Sequence, residues 1–135
     1  MRMPMWILLL VWGALLGCEE PKETRYKRAM KQIDRAHLAL SEELKPEKIR
    51  DVVATKAALD GKGETIANEI SRPEVTTYID EDEFRRFAQV LREDATALEA
   101  AIDAGRLEEA MNVLYPRIDS TCELCHSQYK KTKDD

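Results

Sequence analysis

The sequence predicts an all-α protein, an antiparallel up-down bundle of four helices, and three observations support this prediction. Over most of the chain after residue 25, apolar residues recur at intervals of three and four, the period of amphipathic helices. Glycine and proline occur only five times each in 135 residues, too rarely for a turn-rich β-sandwich or barrel. Aromatic residues make up only 6% of the chain. The predicted helices cover roughly residues 24–44, 47–71, 81–104 and 106–131.

The first predicted helix has a regular apolar stripe. Its positions are separated by four, three, four, three and four residues: Tyr26, Met30, Ile33, His37, Leu40 and Leu44. Lys45 precedes Pro46, and a residue before proline is disfavoured in helical geometry, so the helix is expected to end there.

The second predicted helix begins near Pro46, which suits a first turn. Its apolar face is less regular and consists of Ile49, Val52, Val53, Leu59, Ile66 and Ile70. The run from Asp60 to Gly63 can break it. Arg72-Pro73 is expected to end it, and residues 74–79 are predicted to form a loop without a significant strand.

The third and fourth predicted helices are joined tightly. Asp80 and Glu83 resemble a capping pair at the start of the third. Its apolar face is Phe84, Phe87, Leu91, Ala95, Leu98 and Ile102. Gly105 is expected to end it, and the short connection requires the fourth helix to run antiparallel to it. Pro116 lies inside the fourth helix and is expected to kink it, at a cost of about 3 kcal/mol.

The N-terminus has the pattern of an export signal. Arg2 precedes an apolar run at residues 6–12 that is shorter than the roughly 20 residues of a membrane-spanning helix. The following Leu15-Leu16-Gly17-Cys18 resembles a bacterial lipoprotein processing site. We therefore expect residues 1–17 to be a signal peptide, Cys18 to carry lipid, residues 18–24 to form a polar tether and residues 25–135 to form the domain. An ordinary signal peptide or an uncleaved anchor is the alternative.

The charge distribution excludes a nucleic-acid-binding surface. The chain has 26 acidic and 21 basic residues and a formal net charge of -5, without the clustered Lys/Arg excess that phosphate binding requires. No paired carboxylates, Ser/His/Asp set or phosphate-binding loop is evident, so we expect no enzyme activity beyond electron transfer.

The most specific motif is Cys122-Glu-Leu-Cys125-His126, the CxxCH signature of c-type haem attachment. Two thiols three residues apart lie on one side of a helical turn, where each can bond a porphyrin vinyl group, while the adjacent imidazole ligates iron. Three alternatives remain: a dithiol redox centre, half of a zinc site completed by His37, and a disulfide.

The motif and its position resemble the cytochrome c prime family, including its low-spin relatives. These proteins are four-helix bundles with one CxxCH in the last helix, followed here by Tyr129 and Lys130. The resemblance implies one covalently attached haem c and a residue of the first helix, Met30, facing the other side of the iron. It also implies an arginine near a haem propionate one turn earlier. Tyr26 occupies that position, so Arg25 or Arg28 would have to replace it.

Three further residues, His37, Tyr129 and Lys130, are candidates for the surroundings of the expected haem. His37 lies seven residues beyond Met30, about 10 Å along the helix, so both cannot ligate one iron. His37 is the alternative distal ligand. Tyr129 is expected at the haem edge, and Lys130 either tunes His126 or complements the helix dipole.

The sequence thus predicts a lipid-anchored periplasmic monohaem electron carrier that exchanges electrons with periplasmic or membrane redox proteins. The resemblance also implies that a homodimer can form. One alternative is a five-coordinate haem protein that binds NO or CO. The other is a haem-free helical lipoprotein with a Cys122–Cys125 disulfide.

Overall fold

The computed structural model describes residues 20–129, and every regular element in this range is helical. The elements in chain order are α1 (Lys22–Glu43), α2 (Val52–Leu59), α3 (Lys62–Ile70), the single turn α4 (Pro73–Thr76), α5 (Asp82–Asp103) and α6, which covers residues 107–129. The all-α prediction is confirmed. The predicted signal peptide, Cys18 and Lys130 lie outside the described residues.

The second predicted helix is two helices rather than one. Residues 45–51 form turns, and α2 begins at Val52, where the Asp51 carboxylate accepts a hydrogen bond of 3.0 Å from the Ala54 N–H as an N-cap. The break comes at Gly61, whose φ of 77° is a left-handed conformation that favours glycine. The expected break in this run is therefore present.

The N-terminus of α3 is capped by a side chain of another helix. Glu99 on α5 accepts hydrogen bonds from the Gly61 and Gly63 N–H groups at 2.8 and 3.0 Å. These N–H groups belong to the start of a helix and lack partners within it. A carboxylate is favourable there also because of the helix dipole. Glu99 thus connects α5 to the α2–α3 break.

Helix α3 also approaches α5 closely at Gly63. A β-carbon added to this buried glycine would lie 2.6 Å from the Ala95 carbonyl oxygen. Only glycine allows this spacing.

Two local predictions are wrong. The expected loop at residues 74–79 begins with the helical turn α4, in which Pro73 occupies the first position. At the start of α5 the N-cap is Glu81, whose side chain makes no capping bond. The predicted capping pair does not form, and Asp80 and Asp82 instead pair with Arg85.

The end of α5 agrees with the prediction. Gly105 has a φ of 76° and donates its N–H to the Ile102 carbonyl at 3.0 Å, while the Arg106 N–H reaches the Ala101 carbonyl at 2.8 Å. This pair of bonds is a Schellman motif.

Helix α6 accommodates Pro116 by widening. It consists of an α-helical turn (Leu107–Glu109), a π-helical segment (Ala110–Leu114) and an α-helix (Tyr115–Tyr129). Within the π segment the Tyr115 N–H bonds to Ala110, five residues back. A proline removes one N–H donor and crowds the preceding turn. The wider turn directly before Pro116 reduces that crowding.

The helices bury one continuous core. Its largest fully buried side chains are Leu40, Leu59, Ile66, Leu98, Ile102, Ile118 and Val75. Helix α3 packs closely against both α1 and α5, and α6 packs against α5, whereas α1 and α6 make only sparse contact. The buried Asp94 carboxylate on α5 pairs with Arg117 on α6 at 3.0 Å. Among the helices of residues 20–129, none has both the length and the hydropathy needed to cross a membrane.

Candidate haem-attachment site

The CxxCH residues lie near the C-terminal end of α6. Both cysteines are free thiols; Cys122 is buried and Cys125 half-buried. Burial raises the pKa of Cys122 to about 12 and that of Cys125 to about 11. Nearby acidic groups, Asp119 and Asp34, contribute to the shift of Cys122. At neutral pH both groups are therefore uncharged thiols.

Two partly buried side chains of α1, Tyr26 and Met30, pack against the core. Tyr26 stacks on Tyr78 with ring centroids 4.4 Å apart. Burial raises the pKa of Tyr26 to about 12. Met30, one turn further along α1, is half-buried and packs against the core. Tyr26 and Met30 thus contribute apolar surface to the N-terminal half of α1.

Tyr129 packs one turn beyond Cys125. Its ring meets Phe84 edge-on, with centroids 5.2 Å apart. Burial and the neighbouring Glu81 carboxylate raise the pKa of its hydroxyl.

His126 extends towards α1. Its side chain is 45% exposed, and Nε2 lies 3.8 Å from Oδ1 of Asp34. This separation is too long for a hydrogen bond. The imidazole and the Asp34 carboxylate are therefore neighbours without a hydrogen bond between them.

His37 is held firmly on the same seam. Its Nε2 lies 3.0 Å from Oδ1 of Asp119 on α6, and its ring stacks on Tyr115 with centroids 5.6 Å apart. Asp119 engages one of the two ring nitrogens, and Nδ1 is the nitrogen through which His37 could ligate a metal.

The two predicted arginines lie on another side of α1. Arg25 and Arg28 line a groove with Glu69, Arg72 and Glu74. Arg28 is exposed and pairs with Glu20 at 2.7 Å. The lining of this groove includes no residue of the CxxCH segment, so the structure does not bring these arginines together with it.

The described residues contain one tight cluster of metal-ligating side chains, Asp60, Glu99 and Asp103, whose ligand atoms lie within 4.8 Å of one another. Glu99 already caps α3, which accounts for its position. The proposed zinc set of His37, Cys122, Cys125 and His126 does not form such a cluster among the described residues.

Sequence reasoning missed Asp34, Tyr115 and Asp119, which contact the two histidines across the seam. The helical spacing could have indicated Asp119, because this residue lies seven positions before His126 and on the same face of the helix. Acidic residues at such positions are usually solvated, so the signal was weak.

Comparison with protein-family models finds no match for this chain, and searches of curated proteins and of solved structures likewise return no match.

Proposed function

We propose that the protein is a monohaem c-type cytochrome that carries electrons. The observation that supports this most directly is the CxxCH segment itself, whose two free thiols share one side of α6, with a partly exposed His126 next to Cys125 in sequence. Cys122 and Cys125 would form the thioether bonds and His126 would be the proximal iron ligand.

The surroundings of the thiols fit a porphyrin. The contact between α1 and α6 is sparse, so separating these helices locally costs little of the packing made by α3 and α5. Tyr26, Met30 and Phe84 offer apolar surface. Haem insertion at this seam would therefore replace weak contacts with extensive apolar ones.

Bound haem supplies an iron that accepts and releases one electron. The residues of the chain would anchor it, exclude water and set its potential. Met30 would be the candidate for a second protein ligand, and a thioether ligand would raise the potential. Such a site needs no substrate pocket.

We further propose the finer architecture of an up-down four-helix bundle like that of cytochrome c prime. In it α1, the interrupted pair α2 and α3, α5 and α6 serve as the four helices. The long helices α1 and α5, the tight Schellman connection at Gly105 and the packing of α6 on α5 support this assignment.

Residues 1–18 support the proposed location. With lipid on Cys18, the domain would be held close to a bacterial membrane, because α1 begins at Lys22 and little chain separates the two. The expected partners are periplasmic or membrane redox proteins.

The decisive experiment is expression together with haem-maturation machinery. We expect covalent haem that remains on the wild-type chain in a denaturing gel and is absent from the Cys122→Ala/Cys125→Ala variant. The matched control, Cys18→Ala, should keep its haem and lose membrane association. A colourless wild-type chain would contradict the proposal and support the haem-free lipoprotein.

The absorption spectrum distinguishes the two haem functions. Sharp low-spin bands that do not respond to carbon monoxide are expected for a carrier with Met30 as ligand. Broad high-spin bands that shift with carbon monoxide would indicate a gas-binding protein and contradict ligation by Met30.

A further inference from the structure

We propose that the His37–Asp119 pair is a positioning element, termed here the register clamp, that sets Met30 on α1 and His126 on α6 at the same level across the seam between these helices. This inference rests on the proposed haem function and identifies how the distal ligand is held in place.

The clamp joins distant parts of the chain. The two residues are 82 positions apart in sequence, and their side-chain atoms meet at 3.0 Å. Tyr115 stacks on His37 and fixes the plane of its ring. The side chains of His37 and Asp119 are 24% and 41% exposed. An ion pair exposed to this degree contributes little to the free energy of unfolding. Stabilisation of the fold is therefore not enough to explain the pair.

Contacts across the seam show that α1 and α6 are antiparallel. His37 contacts Tyr115 and Asp119, while Asp34, earlier on α1, contacts His126, later on α6. As positions on α1 decrease, their partners on α6 move towards its C-terminal end.

The spacing from the clamp is equal on both helices. Met30 precedes His37 by seven residues, and His126 follows Asp119 by seven residues. Seven residues are two helical turns, about 10 Å along either axis. Because the helices are antiparallel, both distances run in the same direction, which brings Met30 level with His126.

A change of register would separate this ligand pair. Moving α1 by one residue shifts Met30 by about 1.5 Å and turns its side chain by about 100°, and moving it by one turn shifts it by about 5.4 Å. The clamp opposes both movements because it fixes height and rotation at one point. The sparse packing between α1 and α6 leaves few other contacts to do so.

The first experiment uses the haem-loaded chain. His37→Ala should attach the same amount of haem as wild type, since the thiols are unchanged. Its low-spin bands should weaken, and the fraction that binds carbon monoxide at a fixed concentration should rise at least tenfold. Asp119→Asn keeps a hydrogen-bond acceptor and should largely retain the wild-type spectrum. The reciprocal variant, His37→Asp with Asp119→His, should restore it.

Arg117→Gln is the matched control. It breaks an ion pair of the same length, 3.0 Å, between α6 and Asp94 on α5. It should lower stability without changing the spectrum. The clamp is contradicted if His37→Ala keeps the wild-type spectrum and carbon monoxide response, or if Arg117→Gln changes both equally. It is also contradicted if wild-type protein already binds carbon monoxide, because Met30 is then no ligand.

The second experiment needs no haem. In a chain with Cys122→Ser and Cys125→Ser, the added pair Met30→Cys and His126→Cys should react efficiently with a short thiol-to-thiol crosslinker, and His37→Ala should lower the yield several-fold. A poor yield before His37 is changed would contradict the common level of the two positions. Failure of the proposed function is a separate result, a colourless wild-type chain.

Discussion

The two thiols of the CxxCH lie close together on one helix and are protonated, and therefore unreactive, at neutral pH. Cys122 and Cys125 share a side of α6, as the spacing in the sequence predicts. Their burial raises both pKa values well above that of a free cysteine. Since the thiolate is the nucleophile, the haem-free chain should resist oxidation and alkylation.

This leads to the first prediction. In the haem-free chain, iodoacetamide should label both cysteines at pH 8 at least tenfold more slowly than in urea, where ordinary thiol pKa values return. Cys125, which is more exposed and has the lower pKa, should react faster than Cys122. Mass spectrometry of peptides from Cys122→Ser and Cys125→Ser single variants gives each rate separately. Equal, fast labelling of Cys122 and Cys125 in the native chain would contradict the burial of these two side chains.

The site residues could be predicted from the sequence only where they lie within about one turn of the same helix. Cys122, Cys125 and His126 are adjacent in sequence, so a single helix defines their arrangement. The pairing of His37 with Asp119 depends on the rotation of α1 relative to α6, which many side chains determine together. The surroundings of Arg25 and Arg28 could not be predicted for the same reason. Rotating α1 by a third of a turn changes which helix these side chains face.

At the scale of elements, most helices were predictable from apolar period and from proline and glycine positions. The end of α5 at Gly105 and the break near Gly61 follow from the backbone freedom of glycine. The cap of α3 could not be predicted, because its acceptor, Glu99, belongs to another helix. The π-helical segment could not be predicted either, because a helix can accommodate a proline by a kink or by a wider turn.

The contact of α3 with α5 gives the second prediction. Gly63→Ala should lower the free energy of unfolding by about 1–3 kcal/mol, because the new methyl group meets the Ala95 carbonyl oxygen and the helices must separate. In an exposed helical position the same substitution would stabilise by about 0.5–1 kcal/mol, so the sign is diagnostic. Urea denaturation followed by circular dichroism measures the change.

Asn68→Ala is the control for this variant, because Asn68 is an exposed residue of the same helix. It should change stability by no more than about 0.5 kcal/mol. A Gly63→Ala chain as stable as the wild type would show that α3 and α5 can move apart without loss.

For the molecule as a whole, the packing is uneven. Helix α3 joins α1 and α5 into a closely packed unit, and α6 packs on α5, while the seam between α1 and α6 holds the thiols and the clamp. The seam therefore combines two thiols of raised pKa with sparse packing. Its properties should dominate the response of the haem-free protein to alkaline pH.

The third prediction follows from this distribution. Cys122 and Cys125 have folded-state pKa values of about 12 and 11, above the value of 9.0 for an unperturbed thiol. Above pH 9 the unfolded chain loses these protons first, so their stabilising contribution is complete below pH 9 and is lost as pH rises towards 11–12. We expect a loss on the order of 2–4 kcal/mol between pH 8.5 and 11 in the haem-free chain.

Urea denaturation at a series of pH values tests this slope. The Cys122→Ser/Cys125→Ser variant controls for lysine and tyrosine titration, and its stability should fall by clearly less over the same range. Identical slopes for the two chains would rule out a contribution from the buried thiols.

The weak seam also has a consequence for the order of folding. Its contacts close a loop of about 80 residues, which costs more entropy than closing the shorter loops between neighbouring helices, so they should form last. The same contacts should open first in native-state fluctuations while α3 and α5 remain folded. A chain that opens at this seam exposes both thiols without unfolding, which would let a cofactor be attached to a protein that is otherwise already assembled.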